Sequence, residues 1–97
     1  MRTIAIVCGA GVATSALIAS RVRDHLAEAG RSARVVQATV MDLLSPEFTA
    51  DLVVSTVEIP PALGIPVVSG MPLLLQTAPE VALSDVDRLL DALDADA

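Results

Sequence analysis

Apolar positions in this chain fall into two alternating patterns. "TIAIVC" (residues 3–8) is continuously apolar after its first residue, and a short unbroken run ending at glycine predicts a strand covered on both faces. "TSALIASRVRDHLAEAG" (residues 14–30) has the longer period. Ile18, Ala19, Val22, Leu26 and Ala29 recur at three- and four-residue spacing while Arg21, Asp24 and Glu28 fall opposite, which predicts a helix closed by Gly30 as a left-handed cap. "SARVVQATV" (32–40) and "DLVVSTV" (51–57) predict a second and a third strand. The "MDLLSPEFTA" between them has room for one helical turn before Pro46. A fourth strand lies within "GIPVVSGMPLL" (64–74), where the prolines argue against helix and keep the residues before them extended. The last segment predicts a helix with the apolar stripe Val86, Leu89, Leu90 and Leu93, opened by Ser84 and Asp87 as a cap pair of capping-box type.

Buried strands alternating with helical patterns predict one α/β domain over residues 1–97. With right-handed crossovers the expected architecture is an open four-stranded parallel sheet, order 2-1-3-4, with helices on both faces. Ligands of such sheets bind beyond the carboxyl ends of the strands, where the order reverses. The loop after the first strand sits at that reversal.

Composition narrows the partners. Of the residues 54% are apolar, yet Phe48 is the only aromatic, so the core is aliphatic and base-stacking platforms are missing. Six arginines, no lysine and twelve acids give a net charge of −6, which repels a nucleic-acid backbone. One cysteine forms no internal disulfide, which fits a reducing, cytoplasmic setting. Two uncharged stretches, Thr3 to Ser20 and Ile59 to Pro79, reach the length of a bilayer span. The first carries Gly9, Gly11, Thr14 and Ser15 at its centre and the second five prolines, so neither is expected to insert in a membrane. The apolar run at the start is too short before Cys8 for a signal peptide.

The chemistry concentrates in "CGAGVATS" (residues 8–15). Gly9 and Gly11 allow successive backbone N–H groups to turn inward, and Ala10, Val12 and Ala13 add further amides. The helix that follows, starting at Thr14 or Ser15, brings a partial positive charge and two hydroxyls. Such a loop is an anion cradle. Helix N-termini also favour the thiolate, the nucleophilic form of cysteine. A lone cysteine ending an aliphatic strand is often only packing, but packing does not call for a glycine-rich loop opening a helix.

Three phosphate-binding patterns compete. A Walker loop needs a lysine, which this chain lacks. A G-x-G-x-x-G dinucleotide loop matches only at Gly9 and Gly11, with Thr14 in the third place. The loop is similar to the low-molecular-weight tyrosine phosphatase pattern of cysteine, five residues, arginine, then Ser or Thr. Thr14 stands where the arginine belongs, Ser15 fills the last position, and Arg21 lies about 10 Å further along the helix. Without a guanidinium clamp or an acid in a later loop, the site is expected to hold a phosphocysteine rather than hydrolyse it.

On these residues the chain resembles the IIB subunits of the phosphoenolpyruvate-dependent sugar phosphotransferase system, specifically the galactitol-type group. The loop "CG-x-G/A-V-ATS" and the later "IP-x-V-x-GMP" carry the resemblance, which spans nearly the whole chain. It implies a Rossmann-like, phosphatase-like fold and a phosphotransferase that needs no cofactor or metal. Cys8 would accept phosphate from a IIA phosphohistidine protein, with Gly9, Ala10, Gly11, Val12, Ala13, Thr14 and Ser15 as the phosphate cradle. The phosphoryl group would pass to a sugar or polyol carried inward by a membrane IIC permease. The alternatives are a small cysteine phosphatase or arsenate reductase of related architecture, and a module that binds anions reversibly.

Thr56 to Glu58 and Ser69 to Met71 are expected to flank the site, with Glu58 turned to solvent. His25 is the one histidine, but with no glycine-rich cradle and Asp24 beside it, a surface role is expected. Met71 reads as packing or a turn anchor. Asp85, Asp87, Asp91, Asp94 and Asp96 read as a solvated helix face, the first two also favoured at a positive helix end.

Overall fold

The computed structural model describes residues 2–8, 12–59, 64–75 and 77–95. Four strands, β1 (Arg2–Val7), β2 (Ala33–Ala38), β3 (Leu52–Ser55) and β4 (Val67–Ser69), form one sheet in the order β2-β1-β3-β4. All pairings are parallel. Ala38, Val7, Ser55 and Ser69 lie level with one another and mark the carboxyl end of the sheet. This is the α/β sheet and strand order that the hydrophobic pattern predicts.

β1 is central, and its continuous apolar run is covered on both sides. Ile4 and Ile6 face α1 (Val12–Glu28) and α4 (Pro79–Ala95), meeting Ile18, Val22, Val86 and Leu90 in the larger of two clusters. Ala5 and Val7 face the opposite way, toward Leu43 of α2 (Val40–Leu44), with Phe48, Val57 and Ile65 partly buried around them. Helices therefore cover both faces unequally: two long ones on one side, a five-residue helix and loops on the other.

Local chemistry sets the element ends. After α1, Gly30 takes φ +69°, its N–H bonds to Ala27 O (3.2 Å), and the Arg31 N–H bonds to Leu26 O (2.9 Å). That is the paired bonding of a left-handed helix cap. The single turn before Pro46 is α2, opened by Thr39: the Asp42 N–H donates to Thr39 Oγ1 (3.1 Å), and the Thr39 N–H to Asp42 Oδ2 (2.9 Å).

Four expectations are corrected. Helix α1 begins at Val12, so Thr14 and Ser15 lie within its first turn rather than opening it. Ala29 is exposed beyond the helix end, outside the buried stripe. Prolines do not exclude helix after β4: α3 (Met71–Leu75) forms with Pro72 at its second position, where the missing N–H would have no helical partner in any case. Helix α4 starts at Pro79, not at Ser84 and Asp87, with Ala78 at φ +50° turning the chain into it. Proline suits a first helical position because its φ is already set, and Asp87 has a different partner. His25 Nε2 lies 2.8 Å from Asp87 Oδ2, and Arg31 Nε lies 3.3 Å from Asp87 Oδ1.

The acids of α4 are likewise more than a solvated face. Asp91 pairs with Arg31 (2.6 Å), Asp94 with Arg2 (3.3 Å) and Asp85 with Arg88 (3.1 Å). The Asp91 hydrogen bond raises the Arg31 pKa above its ordinary value. Among the described residues no helix is long and apolar enough to cross a membrane.

Candidate functional site

Cys8 directly follows β1 at the carboxyl end of the sheet. It is half-buried and packs against the cluster beneath α1 and α4, on the same side of β1 as Ile4 and Ile6. Helix α1 begins four positions later. Gly9, Ala10 and Gly11, three of the expected cradle residues, lie outside the described residues. Val12 and Ala13 form the start of the helix, where backbone N–H groups have no intrahelical acceptor. The first turn of α1 contains no acidic side chain, so its positive end meets no carboxylate of its own.

Thr14 is half-buried and Ser15 is buried. Ser15 Oγ donates to Gln37 Oε1 at 2.7 Å, and Gln37 stands beside Ile6 in the β1–β2 register. This bond fastens the first turn of α1 to the neighbouring strand and so orients the helix start relative to Cys8.

The expected flanking loops are at the same end. The Thr56 N–H donates to Val7 O (3.1 Å), the carbonyl immediately before Cys8. Ser55 is buried, and its hydroxyl donates to Val57 O (2.6 Å) while accepting from the Val57 N–H (3.0 Å), which closes the turn after β3. The Gly70 N–H donates to Ser55 O (2.8 Å). A side chain at residue 70 would place its Cβ 3.2 Å from Val54 Cγ1 and 3.4 Å from Thr56 Cγ2. Any larger residue here would need Val54 or Thr56 to give by a few tenths of an ångström, so glycine eases the close approach of the β4 loop to the β3 loop. Glu58 is exposed, in line with its expected direction.

His25 belongs elsewhere. It lies in the last turn of α1, about 20 Å along the helix from Val12, held against Asp87. Among the described residues no three His, Cys, Asp or Glu side chains gather as metal ligands. Sequence reading missed Gln37 and Ser55, and it placed Gly70 only within the flanking segment Ser69 to Met71. Gln37 and Ser55 left no trace there, because they act through partners that the fold supplies.

The fold is an α/β protein with a parallel sheet whose lone cysteine lies between the carboxyl end of β1 and an acid-free helix start. Residues 3–85 match the family model described as "PTS system, Lactose/Cellobiose specific IIB subunit". The chain belongs to that family. It is also 29% identical over 90 residues to the "Putative phosphotransferase enzyme IIB component SgcB" of Escherichia coli (strain K12), covering 93% of this chain and 98% of that protein. Family membership implies a phosphotransferase role in sugar transport, with IIA and IIC partners in general terms.

Proposed function

We propose that this protein is a cytoplasmic phosphoryl carrier of a galactitol-type sugar phosphotransferase system, and that Cys8 carries the phosphoryl group. The observation that carries the reading is the position of the lone cysteine, between the end of β1 and the N-terminus of α1, in a chain of the IIB family. The galactitol-type assignment rests on the loop motif at residues 8–15 and on "IPVVSGMP" at 65–72. In the second motif Gly70 permits the close approach of two site loops and Pro72 sits in the first turn of α3.

Transfer takes place in two displacements. Cys8 Sγ, as thiolate, attacks phosphorus on the phosphohistidine of a IIA protein; an S–P bond forms and the P–N bond breaks. The electron pair returns to the imidazole nitrogen, which takes up a proton. In the second step a hydroxyl oxygen of a sugar or polyol, presented by the membrane IIC protein, attacks the same phosphorus. An O–P bond forms, the S–P bond breaks, Cys8 leaves as thiolate, and the hydroxyl proton passes to a base. In this reading the cradle, residues 9–15 with the positive end of α1, holds the phosphoryl oxygens in both steps. Ser15, tied to Gln37, keeps the helix start in place.

Intact-protein mass after incubation with phosphoenolpyruvate, the general phosphotransfer proteins and a IIA protein tests the reading. Wild type should gain one phosphoryl group and Cys8→Ser none. Release of phosphate from simple esters without any adduct would favour a phosphatase instead.

A further inference from the structure

The two edges of the sheet are closed in different ways. At one edge β4 is three residues long and follows Pro66, whose carbonyl accepts from the Val53 N–H (2.9 Å). So short an edge offers little to pair with. The β2 edge is six residues long. Alternate residues of a strand turn their backbone groups to opposite sides. On β1 the Thr3 and Val7 carbonyls accept from the Asp51 and Thr56 N–H groups on the β3 side (2.8 and 3.1 Å), so Arg2, Ile4 and Ile6 turn theirs to β2. A residue bonding across a parallel pair meets the two neighbours of its register partner. The register partners of these three, Ala33, Val35 and Gln37, therefore direct their own N–H and C=O groups to the open side.

A guanidinium occupies that side. Arg23 of α1 donates from Nη2 to the Val35 carbonyl at 2.8 Å, at the middle of the three outward residues. Arg23 is exposed and pairs with no carboxylate among the described residues, so this bond is what holds its charge over the strand. An unpaired edge is a template for another strand, and a charged side chain laid across it prevents that pairing. The rest of this edge suits a second copy. Two β2 strands set antiparallel about Val35 would place Val35 opposite its counterpart and Ala33 opposite Gln37, all with outward N–H and C=O groups. Gln37 keeps its backbone groups for this, because its bond to Ser15 uses the side chain. Arg34 would stand opposite Val36, so like charges would not face each other directly. We propose that the outer edge of β2 is a latent self-association surface, its partner a second copy of this chain paired antiparallel, and that Arg23 keeps it closed. The surface is a strand edge and not the Cys8 loop, so it stands apart from the carrier reading.

The test is sedimentation equilibrium of the full chain over a wide range of concentration, with amide hydrogen exchange on the same samples. Arg23→Met keeps the aliphatic stem and deletes the donor, and Arg23→Ala deletes both. Arg88→Ala is the control, removing the same charge from a side chain 69% exposed on α4. Matching melting temperatures would verify that the variants are folded; where Arg23→Ala melts lower, Arg23→Met decides. Both Arg23 variants should dimerise about tenfold more tightly than wild type, which must first break a charge-assisted hydrogen bond. Exchange at the Ala33, Val35 and Gln37 amides should slow as their concentration rises. Wild type and Arg88→Ala should show no such slowing over the same range.

Self-association of Arg23→Met no tighter than that of wild type would overturn the proposal, since Arg23 would then hold nothing back. Tighter association without slowed exchange at those three amides would overturn it too, because the contact would lie elsewhere. An equal gain in Arg88→Ala would do the same, as lost charge alone would then suffice.

Discussion

At the amino end of the sheet, Arg2 reaches Asp51, Asp94 and the Leu93 carbonyl, while Arg31 reaches Asp87 and Asp91. Arg2, Arg31, Asp51 and Asp94 border a cavity of about 530 Å³ with Gly30, Ser32 and Leu90. At the carboxyl end the loops are fixed by backbone bonds from Thr56 and Gly70, by the Ser55 turn and by the close contact of Gly70. One end is braced by paired charges and the other by main-chain geometry. The difference has a functional logic. Ion pairs tie the helix ends to the sheet at the amino end, whereas at the carboxyl end the first turn of α1, next to Cys8, carries no acidic side chain.

This contrast predicts separable effects. The largest is at Cys8: Cys8→Ser should abolish phosphoryl labelling while its melting temperature stays close to wild type, because the side chain is half-buried and the change is small. A variant that loses both fold and label would erase the distinction. Next is the core shared by both ends. Ile6→Ala, at a fully buried position, should cost about 3 kcal/mol, a fall in melting temperature of about 15 °C for a chain of this size, with labelling retained by the folded fraction. Thermal unfolding followed by circular dichroism checks it.

Gly70→Ala should come third. The added Cβ meets Val54 and Thr56, so a loss of about 1 kcal/mol is expected, together with slower labelling because the loop beside Cys8 shifts. Labelling at the wild-type rate would mean that the β4 loop does not shape the site. Smallest is Arg2→Ala at the other end, where partly exposed ion pairs contribute about 1 kcal/mol or less. Its deficit should shrink in 1 M salt, where screening acts over about 3 Å, and its labelling should equal wild type.

The sheet was legible in the sequence because its central strands are buried on both faces: "TIAIVC" and "DLVVSTV" have no polar alternation to confuse them with surface strands. The order followed from crossover rules that hold for any such chain. Helix starts were less legible. Ser84 and Asp87 have the residue types of a cap, yet Asp87 meets His25 and Arg31, residues 62 and 56 positions away that only the fold brings near. Pro72 reads as a helix breaker until its place in a first turn is known. The proposed phosphoryl acceptor, Cys8, stood out in the sequence as a cysteine beside glycines. The Ser15 to Gln37 support did not, since it joins residues 22 apart across two elements; the flanking loop Ser69 to Met71 was anticipated, but not the tight contact of Gly70 with the neighbouring strand.

The most direct test of the central claim is to locate the phosphoryl group by tandem mass spectrometry after labelling through a IIA protein. Trypsin cleavage after arginine gives a peptide from Thr3 to Arg21, which contains Cys8, and one from Asp24 to Arg31, which contains His25. The account predicts the added mass on Cys8 in the first peptide, with the second unmodified. Label on His25, or on Thr14 or Ser15 with Cys8 unmodified, would contradict it.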